Sequence, residues 1–269
     1  MTSLKLNDIY LGDSIELIKQ IPSSSIDLIC TDPPYNLGKN YGNNIDYKDK
    51  EEYIKFTKEW LIQAKRVLKE DGSIYVFMGV KFISRLFIIM EDLDLFFNGW
   101  ITWHYTQGVG RKKGFSPRHE DILYFTKSEK FKFNLDNIRI PQKYFREKNN
   151  MLGANPGDVW SFSHIHYSNP ERTIHPTQKP EALIKRIIEA SSNVNDVVLD
   201  LFSGSGTTCA VAKKTGRQYM GFELNPEYIN ISRKRLQDKN LEFDSYDERE
   251  GRISKDLKKN KTLNTVQIL

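Results

Sequence analysis

The chain switches between two hydrophobic periods along its length. "SIDLICTD", residues 25–32, is a short apolar run with polar flanks and predicts a strand. In "EEYIKFTKEWLIQAKRVLKE", residues 51–70, Tyr53, Ile54, Phe56, Trp60, Leu61, Ala64, Val67 and Leu68 fall at helical spacing and predict a helix. Asp71 and Gly72 predict a turn into the strand "SIYVFM", and another helix-like run precedes the strand "GWITWHY".

After residue 104 the pattern weakens. "TQGVGRKKGFSPRHED" is rich in turn residues, "ILYFTK" and "FKFNLDNIRI" are strand-like, and "KYFREKNNMLGANPGD" is loop-like. From residue 173 the alternation returns. "PEALIKRIIEASS" predicts a helix opened by Pro180, and "DVVLDLF" a strand buried on both faces. "GSGTTCAVAKKTG" predicts a turn into a helix ending on Gly216, and "RQYMGFEL" another strand. "NPEYINISRKRLQ" predicts a helix with Asn225 as N-cap and Pro226 at its first position.

Strand–helix alternation on both sides of a weaker segment predicts an α/β fold with one doubly wound, mostly parallel sheet. Residues 1–103 and 173–241 would be two halves of one domain. Residues 104–172 would be an insertion with its own irregular structure, and 242–269 a loosely ordered tail. Between the first strand and helix, "NLGKNYGNNIDYKDK" reads as a mobile loop.

Composition adds limits. The 269 residues are 39% hydrophobic and 28% charged, as in a soluble globule. Stretches such as "FISRLFIIM" are too short to cross a bilayer, and "MTSLKLNDIY" lacks the order of a signal peptide, so a cytoplasmic protein is expected. Cys30 and Cys209 lie in apolar surroundings and predict buried free thiols. His164 and His166 alternate on one strand-like face without Cys or carboxylate neighbours, so no metal is expected. The net charge is +5, and residues 104–172 hold twelve Lys and Arg against seven Asp and Glu, again +5. Aromatics are interleaved there. Such a segment suits an anionic partner, or a solvated surface over a small aromatic core.

Two stretches carry candidate chemistry. "VVLDLFSGSGTT" is a strand, a G-x-G turn and a helix start, which places Gly204 and Gly206 where ligands bind in open α/β sheets. The third glycine of the dinucleotide fingerprint is missing, and no Lys follows as in a P-loop, which disfavours phosphate. Glu223 ends the next strand, 17 residues after Gly206, where an acid can accept from ribose hydroxyls. A nucleoside without pyrophosphate fits this set, and S-adenosylmethionine is such a ligand. The second stretch is "DPPY", residues 32–35, which ends a strand on an acid and two prolines. It is either an ordinary turn or a rigid catalytic element.

"DPPY" resembles the catalytic motif of amino-methylating DNA methyltransferases, and "DLFSGSGTT" their cofactor motif. "HPTQKP" (175–180) and "LGDSIELI" around Asp13 are similar to two further segments of that family. The order of motifs is that of its β group, and the likeness covers residues 8–236. Leu201 departs from it where the family often has Pro.

The resemblance implies a methyltransferase fold of circularly permuted order, with an inserted target-recognition region. It implies S-adenosyl-L-methionine as cofactor, and transfer to the N6 amine of a flipped adenine in double-stranded DNA. Asp32 and the Pro33 carbonyl would accept from that amine, Pro34 would stiffen the turn, and Tyr35 would stack on the base. Phe202, Gly204 and Gly206 would line the methionine end, with Asp200, Ser203, Ser205, Thr207 and Thr208 beside them. Glu223 would hold the ribose and Asp13 would meet the adenine. His175, Thr177, Gln178 and Lys179 would lie near the amino acid end, and Asp32 would also meet the cofactor. Asn36, Lys39, Arg111, Lys112, Lys113, Arg118 and His119 are the candidate DNA contacts; an ion pair on a solvated face is the other reading of the last two. A homodimer, a partner restriction endonuclease and no metal are also implied. Cytosine N4, RNA as substrate, and a catalytically silent DNA-binding relative are the alternatives.

Overall fold

The chain begins with β1 (Asp8–Leu11) and α1 (Ser14–Ile18), neither of which its short pattern reveals. Asp13 caps α1 by accepting from the backbone N–H groups of Ile15 and Glu16. β2 (Ile26–Thr31) is buried at all six positions. α2 (Lys50–Val67) starts on Asp49, whose carboxylate accepts from the N–H groups of Glu51 and Glu52. Tyr53, Thr57, Trp60, Leu61, Ala64 and Val67 form its buried face. The computed structural model describes residues 4–38, 48–106, 108, 110–140, 153–166 and 168–237. The expected tail and most of the expected mobile loop lie outside them.

β3 (Leu68–Met78) begins where the helix was expected to continue. Leu68 is fully buried opposite Ile26, and the Asp71–Gly72 stretch is an irregularity in that ladder instead of a free turn. α3 (Ile83–Asp92) and β4 (Phe96–His104) follow, then β5 (His119–Thr126). "FKFNLDNIRI" is not a strand: residues 131–134 carry no ladder, and α4 (Leu135–Ile138) is a single helical turn. Other bonds hold it. The Lys132 ammonium reaches Asp27 and Asp196, and the Asn134 N–H donates to the Ala190 carbonyl. β6 (Val159–Ser161), α5 (Glu181–Ser191), β7 (Val197–Asp200), α6 (Thr207–Lys214), β8 (Gln218–Glu223) and α7 (Pro226–Gln237) complete the order.

The eight strands form one sheet in the order β1-β8-β7-β2-β3-β5-β4-β6. Among the described residues, only the β3–β5 and β5–β4 ladders of this sheet are antiparallel. The described residues of 104–172 therefore contribute β5 and β6 to the central sheet, where an insertion with its own irregular structure was expected. His164 and His166 lie in no strand; His164 packs on the Tyr105 ring, 3.9 Å between centroids.

Alternate strand residues feed two cores. Ile29, Ile74, Val76 and Phe125 meet Trp60, Leu61 and Leu86 from α2 and α3. Leu28, Cys30, Tyr75 and Val198 meet Leu183, Ile187, Ala210 and Val211 from α5 and α6. Helices on both faces explain why the parallel strands are apolar at successive positions. Cys30 and Cys209 are buried free thiols. Among the described residues, no helix is long and apolar enough to cross a membrane.

Candidate active site

The parallel strands β8, β7 and β2 are neighbours, and each delivers a carboxylate to the same edge of the sheet. Glu223 ends β8, Asp200 ends β7, and Asp32 follows β2 by one residue. A cavity of about 360 Å³ opens there. Carboxyl ends of parallel strands are where open α/β sheets bind ligands. Every residue expected to hold the cofactor lines this cavity except Gly206.

Gly206 shapes the turn instead. Its φ is +75°, and a Cβ there would lie 2.8 Å from the Ser232 Cβ. Gly204, at φ +50°, is as confined: a Cβ would lie 2.8 Å from His175 Nε2. The two glycines thus let "HPTQKP" and α7 close on the turn. The Gly204 N–H donates to Glu223 Oε2 and the Asn225 N–H to Glu223 Oε1, each at 2.7 Å. These bonds fix the carboxylate at the rim. Burial nevertheless pushes Glu223 up from the ordinary carboxyl range, with the backbone donors opposing it. Ser205 and Thr207 are buried under the Arg235 guanidinium, which donates to both. Asp200 Oδ1 accepts from Thr31 Oγ1 at 2.9 Å and from the Phe202 N–H at 3.1 Å. Burial still pushes the Asp200 carboxyl up to about 7.

Asp32 lines the cavity and is joined by two residues distant in sequence. Lys179 Nζ donates to Asp32 Oδ2 and lies 3.4 Å from Glu120 Oε2. The Tyr35 hydroxyl donates to the same Glu120 oxygen at 3.1 Å. Asp32 Oδ1 is buried and has no hydrogen-bond partner among the described residues. A buried carboxylate oxygen left without a partner beside a cavity is an acceptor in want of a donor. Burial pushes the Asp32 carboxyl up, Lys179 opposes this and Glu120 adds to it, and the net direction is upward. Glu120 ends lowered, because Lys179 and the Tyr35 hydroxyl outweigh its burial. Between two carboxylates, Lys179 is held well above the ordinary ammonium range despite burial.

The structure distributes the expected DNA contacts unevenly. Arg111, Lys112 and Lys113 are exposed on the turn between β4 and β5, with Phe115 beside them 98% exposed. Arg118 and His119 are half-buried at its base, and His119 faces Asp121 at 3.7 Å. Asn36 is buried, and its amide pairs with both backbone groups of Lys48. Lys39 lies outside the described residues. Gln178 spends its amide on its own loop, accepting from Thr173 and donating to the Glu171 carbonyl.

Sequence reasoning missed Glu120 as a site residue, because Arg118, His119 and Glu120 read there as a DNA-contacting element or as an ion pair on a solvated face. It also missed Tyr53, Phe77 and Tyr228 in the cavity wall. Phe77 belongs to an unbroken apolar run, which hides one wall position among core positions. Glu120 had a weak signal, an acid at the second position of a strand that runs on into apolar residues.

A family model described as DNA methylase matches residues 26–234. Type II methyltransferase M.HpaI of Haemophilus parainfluenzae is 55% identical over 248 residues, 91% of this chain and 79% of that one. DNA adenine methyltransferase YhdJ of Escherichia coli is 40% identical, over 84% of this chain and 81% of its own. The solved PvuII DNA methyltransferase (cytosine-N4-specific) superposes with a TM-score of 0.71 at 25% identity, covering 87% of each chain. The M1.HpyAVI–SAM complex gives a TM-score of 0.64 at 28% identity, over 86% of this chain and 99% of that one. An open carboxylate, a glycine turn and a matched model over most of the fold agree, and the chain belongs to the DNA methylase family.

Proposed function

We propose that this protein transfers a methyl group from S-adenosylmethionine to the N6 amine of adenine flipped out of double-stranded DNA. The unpartnered, buried Asp32 Oδ1 carries the reading. An exocyclic amine is a poor nucleophile, because its lone pair is delocalised into the ring. Acceptors beside the NH2 group favour a pyramidal nitrogen with a localised lone pair. Asp32 supplies one acceptor and the Pro33 carbonyl the other. Both prolines stiffen the backbone, and the Tyr53 hydroxyl pins the Pro34 carbonyl at 2.7 Å, so the acceptors lose little freedom on binding.

The residues present fit the cofactor. The confined Gly204 leaves backbone at the cavity wall, Phe202 offers an apolar face, and the Glu223 carboxylate stands at the rim for a ribose. S-adenosylmethionine would supply its methyl on a sulfonium whose sulfur leaves neutral, and the methylated amine, cationic when formed, is acidic enough to release its proton, so no covalent enzyme intermediate is called for. Cys30 and Cys209 are buried with raised thiols, unsuited to be nucleophiles. Arg111, Lys112, Lys113 and Arg118 supply positive charge for the DNA backbone. Asn36 acts on DNA only indirectly, by holding the chain at Lys48. The relatives named Type II methyltransferase support a role as the modification partner of a restriction endonuclease.

Adenine is favoured by the Asp at position 32, where cytosine-N4 members commonly carry Ser, and by the relative named an adenine methyltransferase. Cytosine N4 is the second reading, favoured by the PvuII neighbour. Incubation with labelled S-adenosylmethionine and mixed-sequence DNA, then digestion to nucleosides, separates the two. Label in N6-methyladenine is expected. Label in N4-methylcytosine alone would favour the second reading, and none in either would sink both.

A further inference from the structure

Glu120 belongs to β5, in the segment that carries the exposed cationic turn, yet its carboxylate turns inward to Lys179 and Tyr35, which line the cavity. It is one of two carboxylates around a single ammonium, and Lys179 is only 7% exposed there. The same ammonium lies 3.4 Å from the Thr177 carbonyl, and 5.6 and 5.4 Å from the ring centroids of Tyr35 and Phe77.

We propose that Glu120 is a positioning residue that takes over the Lys179 ammonium when the target amine engages Asp32. The inference rests on the methyltransferase reading above. In the free protein Lys179 binds Asp32 Oδ2, so half of the acceptor is already committed. A charge-assisted bond to an ammonium draws electron density from a carboxylate and makes it a weaker acceptor for an incoming amine. Lys179 cannot simply let go, because an unpaired buried ammonium is strongly destabilising. Glu120 removes that obstacle. It lies within reach, and the Tyr35 hydroxyl already orients its Oε2. The transfer moves one ammonium between two anions and leaves the net charge of the cluster unchanged. It also explains why an acid from the cationic segment is packed beside the catalytic one. Tyr105 and His164 also face Glu120, and Asp200 and Cys30 face Asp32.

Glu120→Gln keeps the size of the side chain and removes its charge, so Lys179 stays on Asp32. The expected result is a kcat lowered roughly ten- to a hundredfold, with S-adenosylmethionine affinity within about twofold of the unmodified protein. The acid limb of the pH–kcat profile should move to lower pH, because Asp32 then faces Lys179 without a second anion. Glu120→Asp keeps the charge and should show an intermediate kcat with the limb unmoved. A Glu120→Gln variant with unchanged kcat and an unmoved limb overturns the proposal. So does one that loses only stability and cofactor affinity, as a structural role predicts. If Glu120→Gln does not fold, Glu120→Asp carries the test, and a limb displaced to lower pH in that variant overturns the idea. An unmodified protein that methylates no DNA overturns the methyltransferase reading instead.

Discussion

The Tyr53 hydroxyl donates to the Pro34 carbonyl at 2.7 Å, which ties helix α2 to the segment that presents Asp32. The ring also packs on Phe82, with centroids 4.4 Å apart. Tyr53→Phe keeps that packing and removes the bond. A net loss of about 1 kcal/mol is expected, or roughly 2–4 °C in Tm. Methyl transfer should fall by more than stability alone explains, because the acceptors become less fixed. Calorimetry and steady-state kcat on the same preparation check this, and an unchanged kcat would show that the prolines are rigid enough alone.

Asp32→Asn keeps an acceptor oxygen but loses the charge that favours a pyramidal amine. Losing one preorganised electrostatic partner typically lowers kcat by about 10²–10³. Cofactor binding should persist, since the Gly204 and Glu223 end of the cavity is untouched. Titration calorimetry with S-adenosylmethionine and a filter assay for transfer give the two readouts. Full activity in Asp32→Ala would remove Asp32 from the chemistry.

The two ends of the cavity differ in how well the sequence announces them. Asp32 follows and Glu223 ends a strand whose apolar run is unmistakable, and Gly204 stands in the turn after a third, so their places at the carboxyl end of the sheet could be read directly. The β-strand character of residues 68–70 could not, because Val67 and Leu68 fit the helical period as well as the buried strand. "FKFNLDNIRI" alternates like a strand, but Lys132 is held by Asp27 and Asp196, partners 105 and 64 residues away. Glu120 gave only a weak signal for the same reason. Its partners Tyr35 and Lys179 come from opposite halves of the chain, and only the antiparallel insertion of β5 beside β3 brings the three together.

The exposed turn before β5 should govern affinity for DNA without governing chemistry. Arg111, Lys112 and Lys113 are all exposed and none of them lines the cavity. Replacing all three by Ala leaves unneutralised every phosphate they bind. The slope of log affinity against log salt should then flatten by up to about 0.9 for each such phosphate. kcat at saturating DNA should hold. A salt slope identical to that of the unmodified protein would place the DNA elsewhere.

Gly206→Ala tests the turn. At φ +75° a Cβ costs about 1–3 kcal/mol in backbone strain, and here it would also meet Ser232 at 2.8 Å. Ser232 Oγ donates to the Gly204 carbonyl at 2.9 Å, so the displaced helix α7 would pull on the second glycine as well. S-adenosylmethionine affinity should fall together with Tm. Denaturant titration alongside cofactor titration checks the pairing, and a fall in Tm with unchanged affinity would separate the turn from the ligand site.

Asp200 sets a pH dependence of stability whose sign is opposite to that of a salt-bridged acid. Its carboxyl is pushed from 3.8 to about 7 by burial, against the bonds from Phe202 and Thr31. The folded state therefore holds this proton more tightly than the unfolded chain does. The associated stability is fully present below pH 4 and is lost as pH rises through 7. The displacement corresponds to roughly 4 kcal/mol at most. Asp200→Asn has no proton to lose and keeps an oxygen that can accept from Thr31 Oγ1. Its stability should be flatter between pH 4 and 8 than that of the unmodified protein, with the difference growing toward pH 8. Urea unfolding at a series of pH values measures this directly. Parallel curves for the two proteins would mean that Asp200 is already ionised in the folded state, held by Thr31 and Phe202 despite its burial.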